Sequence, residues 1–128
     1  MSGPTKFVFD TNAALVGIKA ATSIEEASVD LSGSLPFVSV IVRMELLAKP
    51  ALSPDELAKI HAFLGSVTVV PLTEEIEEAA IVIRRDVKLK LPDAIVAATA
   101  LKLGAVLLTN DSEFTKKPIS GLTVQSLI

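Results

Sequence analysis

The chain has no cysteine, no tryptophan and no tyrosine, and a single histidine among its 128 residues. Without thiols there is no disulfide framework, no thiolate metal site and no cysteine nucleophile; the redox compartment stays open. One histidine rules out a nuclease that passes protons between two imidazoles. His61 sits among Leu57, Ile60, Phe63 and Leu64, neighbours that predict a packed or core-edge role rather than catalysis. A Ser-His-Asp nucleophile is disfavoured on the same ground. Missing Trp and Tyr weaken any scheme based on stacking of bases. Positive charge is scarce too. Twelve Lys and Arg against 15 Asp and Glu give a formal charge of −3, so a phosphate-binding surface has to be local or metal-assisted. No apolar run reaches the roughly 18 residues of a membrane span. The opening Met1 to Lys6 lacks the basic and then apolar pattern of a secretory signal, so a soluble, cytoplasmic protein is expected.

What the chain has is apolar sequence: 50 % hydrophobic against 21 % charged residues, enough for a well-filled core. There is no internal repeat, low-complexity block or linker, which predicts one domain over residues 1–128. Phe7-Val8-Phe9 reads as a buried strand running into a helix over 13–21, and Phe37-Val38-Ser39 as a second strand. Ile41, Met44 and Ala48 then recur at helical spacing until Pro50. Ser53-Pro54-Asp55-Glu56 has the form of a capping box with Pro at the first helical position. Val67 to Val70 is a third strand. Thr73 starts a helix with Ile76, Ala79, Ala80, Ile83 and Val87 on one face, four Glu near its start and Arg84, Arg85 and Lys88 near its end. Pro92 opens an Ala-rich helix ending at Gly104, Ala105 to Leu108 is a buried strand, and Leu122 to Val124 an edge strand. Strands alternating with helices, several of them apolar on both faces, predict an α/β sandwich on a mainly parallel sheet of four to five strands. Residues 23–36 carry the weakest pattern.

Four acidic residues stand out against this background. Asp10 follows the first strand, Glu45 borders an apolar helix face, Asp93 lies in a helix first turn after Pro92, and Asp111 follows the strand ending at Leu108. In an open parallel sheet, ligands bind beyond the carboxyl ends of the strands, where Asp10 and Asp111 both fall. Each residue could equally serve a plain structural role. Asp10 can cap a helix, Glu45 can pair with Lys49, Asp93 can complement a helix dipole, and Asp111 can shape a turn with Asn110 and Ser112. Their joint placement favours a shared site, because carboxylates beside so much apolar sequence are costly unless something neutralises them. An all-oxygen donor set suits Mg²⁺ or Mn²⁺ and disfavours Zn²⁺.

Four segments together resemble the PIN domain, and more narrowly the VapC toxins of type II toxin-antitoxin modules. They are Phe7-Val8-Phe9-Asp10-Thr11-Asn12, the run Val38 to Leu46 around Glu45, Leu91-Pro92-Asp93-Ala94 with the helix to Ala100, and Leu108-Thr109-Asn110-Asp111-Ser112-Glu113-Phe114. The resemblance runs through nearly the whole chain and implies a PIN-like three-layer α/β/α sandwich. It also implies that Asp10, Glu45, Asp93 and Asp111 hold one or two Mg²⁺ or Mn²⁺ ions for hydrolysis of RNA, leaving 5′-phosphate and 3′-hydroxyl ends. Thr11, Asn12 and Thr109 match positions that support the metal or substrate. One departure is Val42, where many relatives carry Thr or Ser. The same resemblance implies a small antitoxin that blocks the cleft, and a homodimer joined through helix faces.

Other classes fit less well. A receiver domain needs an Asp after its central strand, which 67–71 does not supply. A dehalogenase-like phosphatase wants a second acid where Asn12 stands. The alternative kept is a non-cleaving PIN-like module that holds RNA or a partner with the acidic site intact. Arg84, Arg85, Lys88 and Lys90 precede Asp93; they read first as a solvated helix end, and second as a guide for an RNA backbone.

Overall fold

Five short strands form the sheet, and each is too brief to bury itself without its neighbours. The computed structural model describes residues 3–127. In chain order the elements are β1 (Lys6–Phe9), α1 (Thr11–Ala20), a single 3₁₀ turn at Glu25–Ala27, β2 (Leu35–Ser39), α2 (Val40–Leu47), α3 (Pro54–Gly65) and β3 (Thr68–Val70). Then follow α4 (Glu74–Val87), α5 (Leu91–Leu103), β4 (Val106–Leu108), α6 (Glu113–Lys116) and β5 (Thr123–Gln125). All strand pairs are parallel, in the order β3-β2-β1-β4-β5, within a three-layer α/β/α sandwich.

That order contains a reversal. From β1 the chain builds outward through β2 to β3, then returns past β1 to add β4 and β5 on the other side. The crevice at such a switch point lies between the carboxyl ends of the two strands where winding reverses, here β1 and β4. Their register puts Phe9 opposite Leu108, so the residues that follow, Asp10 and Thr109, leave the sheet side by side.

The helices take their places from composition. α5 has seven consecutive buried residues, Ala94 to Ala100, five of them no larger than Thr. A helix apolar all round belongs inside, and its small side chains let it lie close against β1, β2 and β4 with α4 over it. α4 keeps the expected one-sided pattern, with Ile76, Ala80 and Ile83 buried. α3 is tied to the sheet by Phe63, whose ring meets Phe9 edge-on at 5.6 Å. Among the described residues no helix is long and apolar enough to cross a membrane.

Two expectations are corrected. The inward face of α2 is Val42 and Leu46, whereas Met44 is 55 % exposed and Ala48 is exposed. Val40-Ile41-Val42-Arg43-Met44-Glu45-Leu46-Leu47 is apolar on most sides, so spacing alone could not choose the face. His61 is not packed at the core edge; it is exposed on the outer side of α3, while Ile60 and Phe63 take the inner positions. The 3₁₀ turn and α6, neither expected, fill the weakly patterned stretch and the segment after β4.

The capping box is present as expected. Ser53 Oγ accepts from the Glu56 amide at 3.1 Å, and Glu56 Oε1 accepts from the Ser53 amide at 3.2 Å. Ser53→Ala should lower stability in urea unfolding by about 1 kcal/mol. A loss below about 0.3 kcal/mol would mean that packing of Ile60 and Phe63 alone holds α3 in place.

Candidate metal centre

Asp10 combines the structural and the functional readings. It is the N-cap of α1, with extended backbone and Oδ1 accepting from the Ala13 amide at 2.7 Å. It is also only 6 % exposed, and Oδ2 accepts from the hydroxyl of Thr109, itself 3 % exposed. The Asp10 amide donates to Leu108 O at 3.2 Å, which extends the β1–β4 pairing by one step and brings the two side chains together.

Hydroxyls also position Glu45 and Asp111. Thr109 Oγ1 accepts from the Asp111 amide at 2.9 Å while donating to Asp10, and Asp111 Oδ1 accepts from the Glu113 amide at 3.0 Å. Thr11, the first residue of α1, donates its hydroxyl to Glu45 Oε1 at 2.6 Å across 34 residues of chain. Glu45 therefore faces the site from α2 and takes Thr11 as its partner. The side chain of Asp93, half-buried in the first turn of α5, accepts no hydrogen bond among the described residues.

The four carboxylates line one cavity of about 310 Å³, together with Thr11, Asn12 and Pro92. Lys90 and Val96 complete its wall. Every acid singled out in the sequence is thus brought to the switch-point crevice. Thr109 acts from beneath rather than on the wall, by fixing Asp10. Val42 is fully buried and takes its place in the core. Val96 went unnoticed in the sequence, although its spacing of four from Pro92 puts both on the same side of α5.

Crowding these acids shifts their chemistry. Burial pushes the Asp10 carboxyl above the ordinary range; the Thr109 and Ala13 hydrogen bonds pull the other way, and repulsion from Asp111 and Glu45 adds to the rise. Asp93 is raised as well, first by burial, then by Asp111, Asp10 and Glu45, with Lys90 offsetting only part. In these side-chain positions no three acidic groups among the described residues are gathered closely enough to hold an ion. The donor set nevertheless fits a hard divalent cation. It is all oxygen, two of its members are held against repulsion that a cation would relieve, and Asp93 has its carboxylate uncommitted.

Comparison with known proteins agrees with this fold. A sequence model of the PIN domain matches residues 7–119. Similar solved structures include DNA-bound VapBC from Salmonella typhimurium, at 27 % identity and TM-score 0.78 over 95 % of this chain and 98 % of that one. VapBC-1 from nontypeable Haemophilus influenzae matches at 23 % identity and TM-score 0.73, with the same coverage of 95 % and 98 %. VapBC2 from Rickettsia felis, bound to a DNA fragment from its promoter, matches at 16 % and 0.72, again covering 95 % and 98 %. No curated protein sequence matches the chain.

The raised Asp93 carboxyl makes a stability prediction. Its folded pKa lies above the unfolded one, so the charged form is disfavoured by folding. The cost is absent below about pH 3.8, grows as pH rises through the folded value and is constant above it. In EDTA at pH 7, Asp93→Asn should therefore melt a few degrees higher than the parent, and the difference should vanish toward pH 3.5. An equal or lower melting temperature at pH 7 would show that the acids are not in electrostatic conflict.

Proposed function

The chain belongs to the PIN-domain family, and from that membership we propose that it is a Mg²⁺- or Mn²⁺-dependent endoribonuclease, the toxin of a VapBC-like toxin-antitoxin pair. The observation that carries this reading is the delivery of Asp10, Glu45, Asp93 and Asp111, from four separate stretches of chain, to one cavity at the β1–β4 switch point. A divalent cation bound there would activate water and offset charge on the leaving oxygen.

The chain's own residues do the positioning. Asp10, fixed by the Ala13 amide and the Thr109 hydroxyl, is the rigid member of the set. Glu45 and Asp111 are held at the rim by Thr11 and the Glu113 amide, and Asp93 closes the cavity from the start of α5. Asn12 stands at the cavity wall, available to substrate or to water. In the reaction, water attacks phosphorus and the bond to the 3′ oxygen breaks, leaving 5′-phosphate and 3′-hydroxyl ends. His61 lies outside the cavity, so acid and base duties fall to carboxylates and solvent.

Purified protein incubated with cellular RNA should cut it in Mg²⁺ or Mn²⁺ and not in EDTA. Asp10→Asn should abolish cleavage in a folded protein. Thr109→Val should reduce cleavage by about 10- to 100-fold, because it frees Asp10 without removing a ligand. The alternative is a non-cleaving module that holds RNA or a partner with the same acidic cavity intact. Folded protein that binds RNA in metal yet leaves it intact would establish that alternative, and 2′,3′-cyclic phosphate ends would exclude a metal-activated water.

The toxin reading also calls for two protein partners. An antitoxin would cover the acidic cleft, presenting a basic side chain to it. A second copy would join through helix faces, a role supported by Ile81 and Val82, which stand 52 % and 46 % exposed on α4. Light scattering should give twice the chain mass for the parent and a single chain for Ile81→Asp. A monomeric parent would rule out this dimer.

A further inference from the structure

The four basic residues before Asp93 do not share one environment. Arg84 and Arg85 sit on the exposed face of α4, where Arg85 pairs with Asp86 at 3.0 Å. Lys88 and Lys90 instead line a second cavity of about 250 Å³, which adjoins the acidic one and shares Lys90, Asp93 and Asp111 with it. Lys117, from the end of α6, lines the same cavity.

We propose that this cavity, walled by Lys88, Lys90 and Lys117, is a subsite for the backbone of the strand being cut, holding a phosphate next to the scissile one. It rests on the nuclease reading above for the strand that enters.

Three features make the lysines a built wall. Lys88 ends α4 in the left-handed region, φ 64°, a position that glycine ordinarily fills at least cost, so a charged side chain is kept there against backbone preference. Leu89, 1 % exposed, anchors the turn in the core and leaves Lys88 and Lys90 on either side of the plug. Lys117 Nζ donates to Lys88 O at 3.2 Å, stapling the turn to α6 across 29 residues.

Two of the three charges are uncommitted, and the third is held by the Lys88 carbonyl and Glu113. Among the described residues neither Lys88 nor Lys90 is in an ion pair, and Lys117 reaches Glu113 only at 3.9 Å. Asp93 and Asp111, shared with the acidic cavity, complete the lining together with Glu113 beside Lys117, so the lysines border the acids of the cation site. A polyanion crossing such a boundary sets one phosphate at the cation and the next against ammonium groups, which bind phosphate as point charges. A helix-dipole role would be served equally well by Arg84 and Arg85, and does not require lysine in a left-handed turn.

The test is anisotropy of a fluorescein-labelled, mixed-sequence single-stranded RNA in Ca²⁺, with cleavage of the same RNA followed in Mn²⁺. Lys88→Gln with Lys117→Gln should weaken binding by about tenfold, and make the salt dependence of log K shallower by about 0.7 per lysine removed. Lys88→Arg with Lys117→Arg should restore affinity, and Arg84→Gln should match the parent. If Lys117→Gln disturbs folding, judged by thermal melting, Lys88→Gln alone decides. Binding within about twofold of the parent in the lysine variants, an equal loss in Arg84→Gln, or no RNA binding by the parent would overturn the subsite. RNA bound through these lysines but uncut in Mn²⁺ would sink the nuclease reading and leave the subsite standing. Cleavage with KM unchanged in the lysine variants would do the reverse.

Discussion

Asp10 ends β1, caps α1 and takes the Thr109 hydroxyl from the neighbouring strand's exit, all with one buried carboxylate. The rest of the site is referenced to that group. Thr109 is held by Asp10 and in turn holds the Asp111 amide. Thr11, next along the chain, is placed by the cap and reaches Glu45. A charge buried this deeply is tolerable only if its lone pairs are satisfied, and the two hydrogen bonds meet that need without neutralising it. The fold therefore keeps a buried carboxyl group in place, and the remaining acids line the same cavity.

That arrangement opposes the stability of the protein on its own. Burial and mutual repulsion raise both Asp10 and Asp93, so ionising the site costs stability as pH rises through the raised values. Anything that binds the folded state there stabilises it by linkage. The surrounding packing supplies what this costs: α5, buried on every side, and the Phe9–Phe63 contact directly behind Asp10 fix the backbone from which two of the acids project.

Net charge and local charge also divide the work. An overall −3 offers nucleic acid no general attraction, and the acidic cavity alone would repel it. The turn after α4 places Lys88 and Lys90 at the border of that cavity, with Lys117 brought in from α6. Opposite signs then meet where the two cavities share Lys90, Asp93 and Asp111.

Local interactions made much of this legible from the residues alone. The strand at 7–9, the Ser53–Glu56 capping box, the charge order of α4 and the Pro92–Gly104 helix each depend on neighbours a few positions away, and each is present. That Asp10, Glu45, Asp93 and Asp111 share one cavity was also foreshadowed, because a carboxylate set against an apolar run is costly to bury unless a hydrogen bond or a cation meets it. Contacts across long separations were decided only by the tertiary structure. Thr109 meets Asp10 across 99 residues and Lys117 meets Lys88 across 29, and no periodicity encodes either pairing. The turning of Met44 outward, the exposure of His61 and the separation of Arg84 and Arg85 from Lys88 and Lys90 have the same origin. Where a helix is apolar on most sides or charged at one end, its own residues allow several faces, and the elements that pack against it select one.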